Sequence, residues 1–101
     1  MPSYQIQTSI TYTENCCTYH LKPELRNLDE DEAIFRLKLA VERYENQLSQ
    51  QIYNEEELTV TVSLFKMLDE FDIPILLGCY EIEKYPFTLP TKSGWMFTSN
   101  V

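Results

Sequence analysis

The side chains best suited to chemistry in this sequence are three cysteines and a single histidine. Cys16, Cys17 and His20 lie close together, and Cys79 follows far along the chain. Thiolates and imidazoles are the ligands that zinc prefers. The spacing is poor for one metal, because consecutive residues of a strand project to opposite faces and the sequence contains no C-x-x-C pair. We therefore predict no metal and no cofactor, and interpret Cys17 and Cys79 as small core residues and His20 as a surface residue.

A Cys–His nucleophile meets a similar objection. Cys16, Thr18 and His20 would share one strand face, but residues two apart point side by side, and no acid or oxyanion loop is evident to orient the histidine. Two glycines are too few for a Gly-rich phosphate loop or a nucleophile elbow. We predict no catalytic residue and a protein that is not an enzyme. A small enzyme or metal site at Cys16, Cys17 and His20 is kept as the third hypothesis.

The acidic charge of the chain is concentrated in its centre. The formal net charge is −8, and residues 29–72 carry twelve acidic and four basic side chains, which account for all of it. Such a segment repels phosphate backbones, so we predict no direct binding to nucleic acid and, instead, a protein partner with a basic surface. The alternative is a solvated face that keeps the protein soluble. The candidate partner-binding residues are Asp29, Glu30, Asp31, Glu32, Glu55, Glu56, Glu57, Asp69, Glu70 and Asp72.

One helix is clearly marked, over residues 29–52. Its apolar residues follow the i, i+3, i+4 spacing of a buried helix face; they are Ile34, Leu37, Val41, Tyr44 and Leu48. Asp29 can accept the amide hydrogen of Glu32 as the N-cap. Phe35 and Leu39 fall on the opposite side of the helix, so they are either covered within the fold or offered to a partner.

Strand patterns precede and follow this helix. Residues 4–21 alternate apolar and polar side chains around a turn signal, which predicts a hairpin. The apolar run at residues 75–82 predicts a buried strand. Residues 86–90 contain two prolines and predict an edge strand or an extended loop. The apolar segment 94–97 is expected to dock back onto the body, as a last short strand.

Residues 55–71 are ambiguous. A capping pattern at Asn54 and the spacing of Leu64, Leu68 and Phe71 favour a helix, whereas the Thr-Val alternation over residues 58–64 favours a strand. We predict the helix and keep the strand as the alternative. The predicted fold is therefore a single α+β domain over residues 1–101, a mostly antiparallel sheet with two helices packed on one side, in the order β-β-α-α-β-β.

The remaining composition bounds the setting. Three cysteines give no paired disulfide framework of the kind that small secreted domains use, so we expect a reducing, cytoplasmic location. The N-terminal residues have neither the basic nor the apolar region of a signal peptide, and no stretch approaches the length of a membrane span.

Size, acidity and the lack of catalytic motifs are together typical of small inhibitors, such as immunity proteins, antitoxins and phage-encoded counter-defence proteins. The first hypothesis is thus a non-enzymatic, acidic protein-binding module that occupies a basic, nucleic-acid-handling surface of a partner. The second is a self-associating structural or accessory subunit, a homo-oligomer that uses an apolar interface. The candidates for that interface are Phe35, Leu39, Trp95 and Phe97.

Overall fold

The computed structural model describes residues 3–14, 16–26, 29–50, 56–68 and 73–97. Within these ranges the chain forms one helix and seven strands, all of whose pairings are antiparallel. The elements are β1 (Ser3–Tyr12), β2 (Cys17–His20), β3 (Glu24–Arg26), α1 (Glu30–Ser49), β4 (Leu58–Leu68), β5 (Ile73–Lys84), β6 (Thr91–Lys92) and β7 (Met96–Phe97).

The seven strands occupy five positions in one sheet. β1, β4 and β5 form its long centre. β2 and β3 pair with the two ends of the free side of β1, and Pro23, which cannot donate to a ladder, lies between them. β6 and β7 pair with β5 in the same interrupted way on the opposite edge. Short, broken edges offer few free backbone groups to another strand.

The alternation of β1 and β4 decides which face of the sheet is buried. Tyr4 and Ile6 of β1 and Val60 and Val62 of β4 are at most 4% exposed, because they face α1. The residues between them face the other side of the sheet, which is rich in Ser, Thr and Gln. This arrangement confirms the predicted hairpin of residues 4–21 and the two unlike faces of its first strand, whereas the residues of β2 are exposed on both faces.

α1 begins and packs as its sequence predicts. The Asp29 carboxylate accepts a hydrogen bond from the Glu32 amide at 2.9 Å. The helix lies mainly on β4 and buries five side chains; they are Ala33, Leu37, Ala40, Val41 and Leu48. The helix ends at Ser49, with Gln50 as the C-cap; residues 51 and 52 of the predicted helix lie outside the described residues.

The predicted second helix is wrong. Residues 58–68 form β4, which pairs with β1 along ten successive positions and with β5 on its other side. The physical reason is the Thr-Val alternation, because it buries four side chains in a row beneath α1 while Thr59 and Thr61 face away. The cap pattern at Asn54 and the end of the predicted helix at Phe71 lie outside the described residues. The predicted order β-β-α-α-β-β is corrected to β-β-β-α-β-β-β-β.

β5 is longer than predicted and carries one irregularity. Leu64 pairs with Gly78 and Phe65 with Leu76, so Leu77 is an extra residue and β5 contains a bulge there. The predicted return of the chain after Gly94 is confirmed, because β7 pairs with β5.

Candidate protein-binding surface

The two ends of the sheet carry different groups of side chains. Tyr12 pairs with Leu58, and Leu58 pairs with Lys84, so these residues form the last row of the sheet at one end. This end also carries the β1–β2 turn, the start of β4 and the β5–β6 loop, and we call it the loop end. The opposite end, where Arg26 pairs with Tyr4, is the one at which α1 begins, and we call it the helix-start end.

Two carboxylates act on the Tyr85 hydroxyl at the loop end. The Tyr85 hydroxyl donates a hydrogen bond to the Glu83 carboxylate at 3.2 Å. This hydrogen bond raises the pKa of Tyr85, and the negative charges of Glu83 and Glu57 raise it further. Glu57 precedes β4 and Glu83 lies in β5, so the two acids converge on one exposed phenol. Glu56, the neighbour of Glu57, is also exposed at this end.

The β5–β6 loop begins directly after Lys84 and places two large apolar side chains in solvent. Phe87 is 59% exposed and Leu89 is 63% exposed. Pro86 and Pro90 bracket them, and proline cannot donate to a sheet ladder, so the segment leaves the sheet. Phe87 has a positive φ of 58°, an uncommon conformation for a bulky residue.

Hydrogen bonds to one carbonyl group hold this loop. The Tyr85 carbonyl oxygen accepts from the Thr88 backbone amide at 3.3 Å and from the Thr88 hydroxyl at 2.9 Å. It also accepts from Lys84 Nζ at 2.6 Å, and the Lys84 side chain is only 1% exposed. A buried cation thus anchors the base of the loop, so the exposed Phe87 and Leu89 are presented in a defined shape.

The acids that cap α1 form a separate group at the helix-start end. Asp29, Glu30, Asp31 and Glu32 are exposed. Burial raises the pKa of Tyr4, and the charges of Glu30 and Asp29 add to the shift. A helix of 20 residues rises about 30 Å, so this group lies roughly that far from Glu56 and Glu57. The described acidic candidates therefore form two surfaces, and the others, Glu55, Asp69, Glu70 and Asp72, lie outside the described residues.

The candidates for an apolar interface also lie in different parts of the molecule. Phe35 and Leu39 are 59% and 45% exposed, one turn apart on the outer side of α1. Trp95 instead packs against the core, with its ring centroid 5.2 Å from that of Tyr80. Its side chain is half-buried there. The backbone of Phe97 pairs with Gly78, and its side chain lies outside the described residues.

The structure does not bring the cysteines and the histidine together. Cys17 pairs with Tyr12 and His20 with Ser9, so they lie three residues apart on β2 and on opposite faces. Cys79 lies on β5 with its thiol half-buried; burial raises the pKa of this thiol, and the Glu81 charge adds to the shift. The interpretation of Cys17 as a core residue is wrong, because its side chain is exposed. Among the described residues, no three His, Cys, Asp or Glu side chains are grouped as metal ligands would be.

Sequence reasoning did not choose the β5–β6 loop as a candidate binding element. Its signal was present in the segment Y-P-F-T-L-P, in which two prolines force an aromatic and an aliphatic residue out of the sheet.

Comparison with protein-family models, with curated proteins and with solved structures gave no match. In the described part of the chain, no helix has the length and apolar character needed to cross a membrane.

Proposed function

We propose that this protein is a non-enzymatic binding module that occupies a basic, nucleic-acid-handling surface of a partner protein. It would act as a small inhibitor, in the manner of immunity proteins, antitoxins and phage counter-defence proteins. The observation that carries the proposal is the loop end, where the loop that exposes Phe87 and Leu89 directly follows Tyr85, the phenol on which the charges of Glu57 and Glu83 act. Aromatic residues rimmed by polar groups are the usual energetic centre of a protein interface.

Charge supports the choice of a basic partner. The net charge of −8 would accelerate the encounter with a positive surface and oppose contact with nucleic acid. A surface that normally holds phosphates is rich in Lys and Arg, so it complements the carboxylates of the loop end. The apolar loop would supply the affinity that screened surface charges alone rarely give.

The first experiment is affinity capture from the cell in which the protein naturally occurs, followed by elution with increasing salt. We expect a nucleic-acid-handling protein that is released as salt rises and whose activity is inhibited by the purified chain. A retained protein that salt does not release, or whose activity is unaffected, would contradict the proposal.

The second experiment locates the contact by charge reversal. The double variant Glu56→Lys/Glu57→Lys should weaken binding to the captured protein about tenfold at low salt and reduce its salt dependence. The matched control is Glu30→Lys/Asp31→Lys, which reverses two exposed acids at the helix-start end and spares the N-cap Asp29. Equal loss in both variants would mean that the charge acts only at long range and not through the loop end.

The third experiment tests the apolar loop. Phe87→Gly removes the ring, and glycine accepts the positive φ at this position. Loss of an interface hot spot costs about 2 kcal/mol, or roughly thirtyfold in affinity. Phe35→Ala is the control, because Phe35 has the same 59% exposure on the outer side of α1. If Phe87→Gly binds like the unaltered chain, the loop is not the contact.

The exposed pair on α1 supports a second candidate, a self-associating subunit. Phe35 and Leu39 would form an apolar interface between two copies of the chain. A homodimer that resists salt and becomes monomeric with Leu39→Glu in sedimentation experiments would support this candidate. A monomer at all concentrations would remove it.

A further inference from the structure

Among the described residues, Lys84 is the one charged residue whose side chain is buried. It ends β5 and is 1% exposed, on the face of the sheet that α1 covers. Its neighbours on this face are apolar and buried: Leu58 pairs with it from β4, and Ile82 lies two residues earlier on β5. An ordinary core would place an apolar residue at this position.

The Lys84 ammonium group has a carbonyl partner but no carboxylate partner. Its Nζ donates a hydrogen bond to the Tyr85 carbonyl oxygen at 2.6 Å. No carboxylate of the described residues lies within ion-pair distance of Nζ. Moving a charged group from water into an apolar environment is strongly unfavourable unless an opposite charge compensates it. Lys84 is therefore expected to lower the stability of the fold, compared with an apolar residue of similar volume.

The same hydrogen bond holds the start of the β5–β6 loop. The Tyr85 carbonyl oxygen also accepts from the backbone amide and the hydroxyl of Thr88, so three donors converge on one oxygen atom. A charged donor forms a stronger hydrogen bond than a neutral donor, and water competes little for a buried one. The bonded carbonyl group thereby supports the turn that carries Phe87, whose φ of 58° is uncommon for a bulky residue.

We propose that Lys84 is a positioning residue of the β5–β6 loop, whose buried ammonium group orders the loop for binding and lowers the stability of the fold. The inference rests on the proposed function, because it explains how the exposed Phe87 and Leu89 are held in one conformation before a partner binds. A loop that is ordered in advance loses less conformational entropy on binding, so it binds more tightly. A residue that served stability alone would be apolar here.

The first test compares Lys84→Met with the unaltered protein. Methionine is long, flexible and apolar, so it can fill the same space without a charge. We expect the melting temperature to rise by about 4 °C or more, because no charge remains buried. The ¹⁵N order parameters of Phe87 and Thr88 should fall from about 0.85 to below about 0.6. Unchanged order parameters, or a lower melting temperature, would overturn the proposal.

Ile82→Met is the matched control. Ile82 lies on the same strand and the same face as Lys84, so the variant places the same residue type in the same part of the core. It should leave the order parameters of the loop unchanged. Equal loss of loop order in the two methionine variants would mean that a disturbed core causes it, and would overturn the role assigned to the Lys84 ammonium group.

A measurement on the unaltered protein requires no variant to fold. The ammonium protons of Lys84 should appear in ¹⁵N NMR spectra at neutral pH, because burial and the bond to the Tyr85 carbonyl oxygen slow their exchange with water. The exposed Lys22 and Lys92 are internal references, and their ammonium protons should exchange roughly tenfold faster. Equal exchange at the three lysines would contradict the buried anchor.

The captured partner then tests whether loop order contributes to binding. Lys84→Met should weaken binding about fivefold, and Phe87→Gly should weaken it more, because it removes the contact itself. If Phe87→Gly weakens binding and Lys84→Met does not, the positioning role is overturned and the proposed function stands. If no basic protein is captured, the proposed function fails, whereas the order parameters and the melting temperature still decide whether Lys84 orders the loop.

Discussion

The two flanks of α1 differ in how their aromatic residues are used. On the β5 side, which we call the closed flank, Trp95 packs on Tyr80 and over Gly78, and the chain itself covers the sheet. On the β2 side, the open flank, Tyr12 and Tyr19 also contact each other but leave a cleft. Both rings of the first pair pack on the core, whereas in the second pair Tyr12 packs on the core and Tyr19 is 55% exposed.

The difference between the two flanks follows from the path of the chain after β6 and after β2. After β6 the chain returns along β5 as β7, and this return places Trp95 on the covered face of the sheet. After β2 the chain instead continues to β3 at the far end of β1, and no described segment returns over Tyr19. The Tyr80–Trp95 pair is therefore covered by a later segment of the chain, whereas the Tyr12–Tyr19 pair stays accessible beside the helix.

The largest loss of stability is expected for a substitution in the core between α1 and the sheet, which lies between the two flanks. Leu37 is fully buried between α1 and the sheet, so Leu37→Ala should lower the free energy of unfolding by about 2–5 kcal/mol. Leu39→Ala is its control, since Leu39 is the same residue type on the same helix and 45% exposed. Urea denaturation followed by circular dichroism measures both. Similar losses would show that α1 does not bury the face described above.

The second prediction compares the loss of stability on the closed flank with that on the open flank. Trp95→Ala should lower the free energy of unfolding by about 2–3 kcal/mol, because the half-buried indole covers the core. Tyr19→Ala should cost about 1 kcal/mol or less, since it loses only an edge-to-face contact and some exposed area. The comparison between closed and open flanks fails if the tyrosine variant is the less stable of the two.

Gly78 sharpens the description of the closed flank. A Cβ at this position would overlap with Trp95 Cζ2 and lie 2.7 Å from the Met96 carbonyl oxygen. Gly78→Ala should therefore lower the free energy of unfolding by about 1–3 kcal/mol, as overpacking does. Gly94→Ala is the control, because a Cβ there meets nothing within 4 Å. Equal stability of the two variants in thermal unfolding would show that Trp95 does not rest on Gly78.

The sequence predicted the elements whose patterns act locally. The spacing from Ile34 to Leu48 fixes α1, and alternation fixes the hairpin of residues 4–21, because each pattern needs only one buried face. The segment after Glu57 was predicted incorrectly because a cap signal competed with Thr-Val alternation, and pairing with both β1 and β5 decided in favour of the strand.

The candidate site was less predictable than the fold. Glu56 and Glu57 were chosen for their charge, but their placement beside Tyr12, Tyr19 and the β5–β6 loop depends on sheet register across distant parts of the chain. No local pattern encodes such a register. The two prolines predicted an edge strand or an extended loop at residues 86–90, but Phe87 and Leu89 were not chosen as candidates for binding. The open flank required knowing where α1 lies on the sheet.

The smallest effect concerns the thiols, whose exposure differs between the β2 edge and the β5 edge of the sheet. Cys17 is exposed beside Tyr12 at the open flank, whereas Cys79 is half-buried on β5 and pairs with Met96 of β7. Burial and the Glu81 charge raise the pKa of Cys79, so less of its reactive thiolate is present at neutral pH. Iodoacetamide should therefore modify Cys16 and Cys17 before Cys79, with the order read by mass spectrometry of peptides.

The pH and denaturant dependence make this test specific. The modification rate of Cys79 should continue to rise at alkaline pH above the ordinary titration range of a thiol, because its pKa is raised in the folded chain. In concentrated urea the burial is lost, so the three cysteines should react at similar rates. If Cys79 reacts as fast as Cys17 in the folded protein, the pairing of β7 with β5 does not shield the Cys79 thiol.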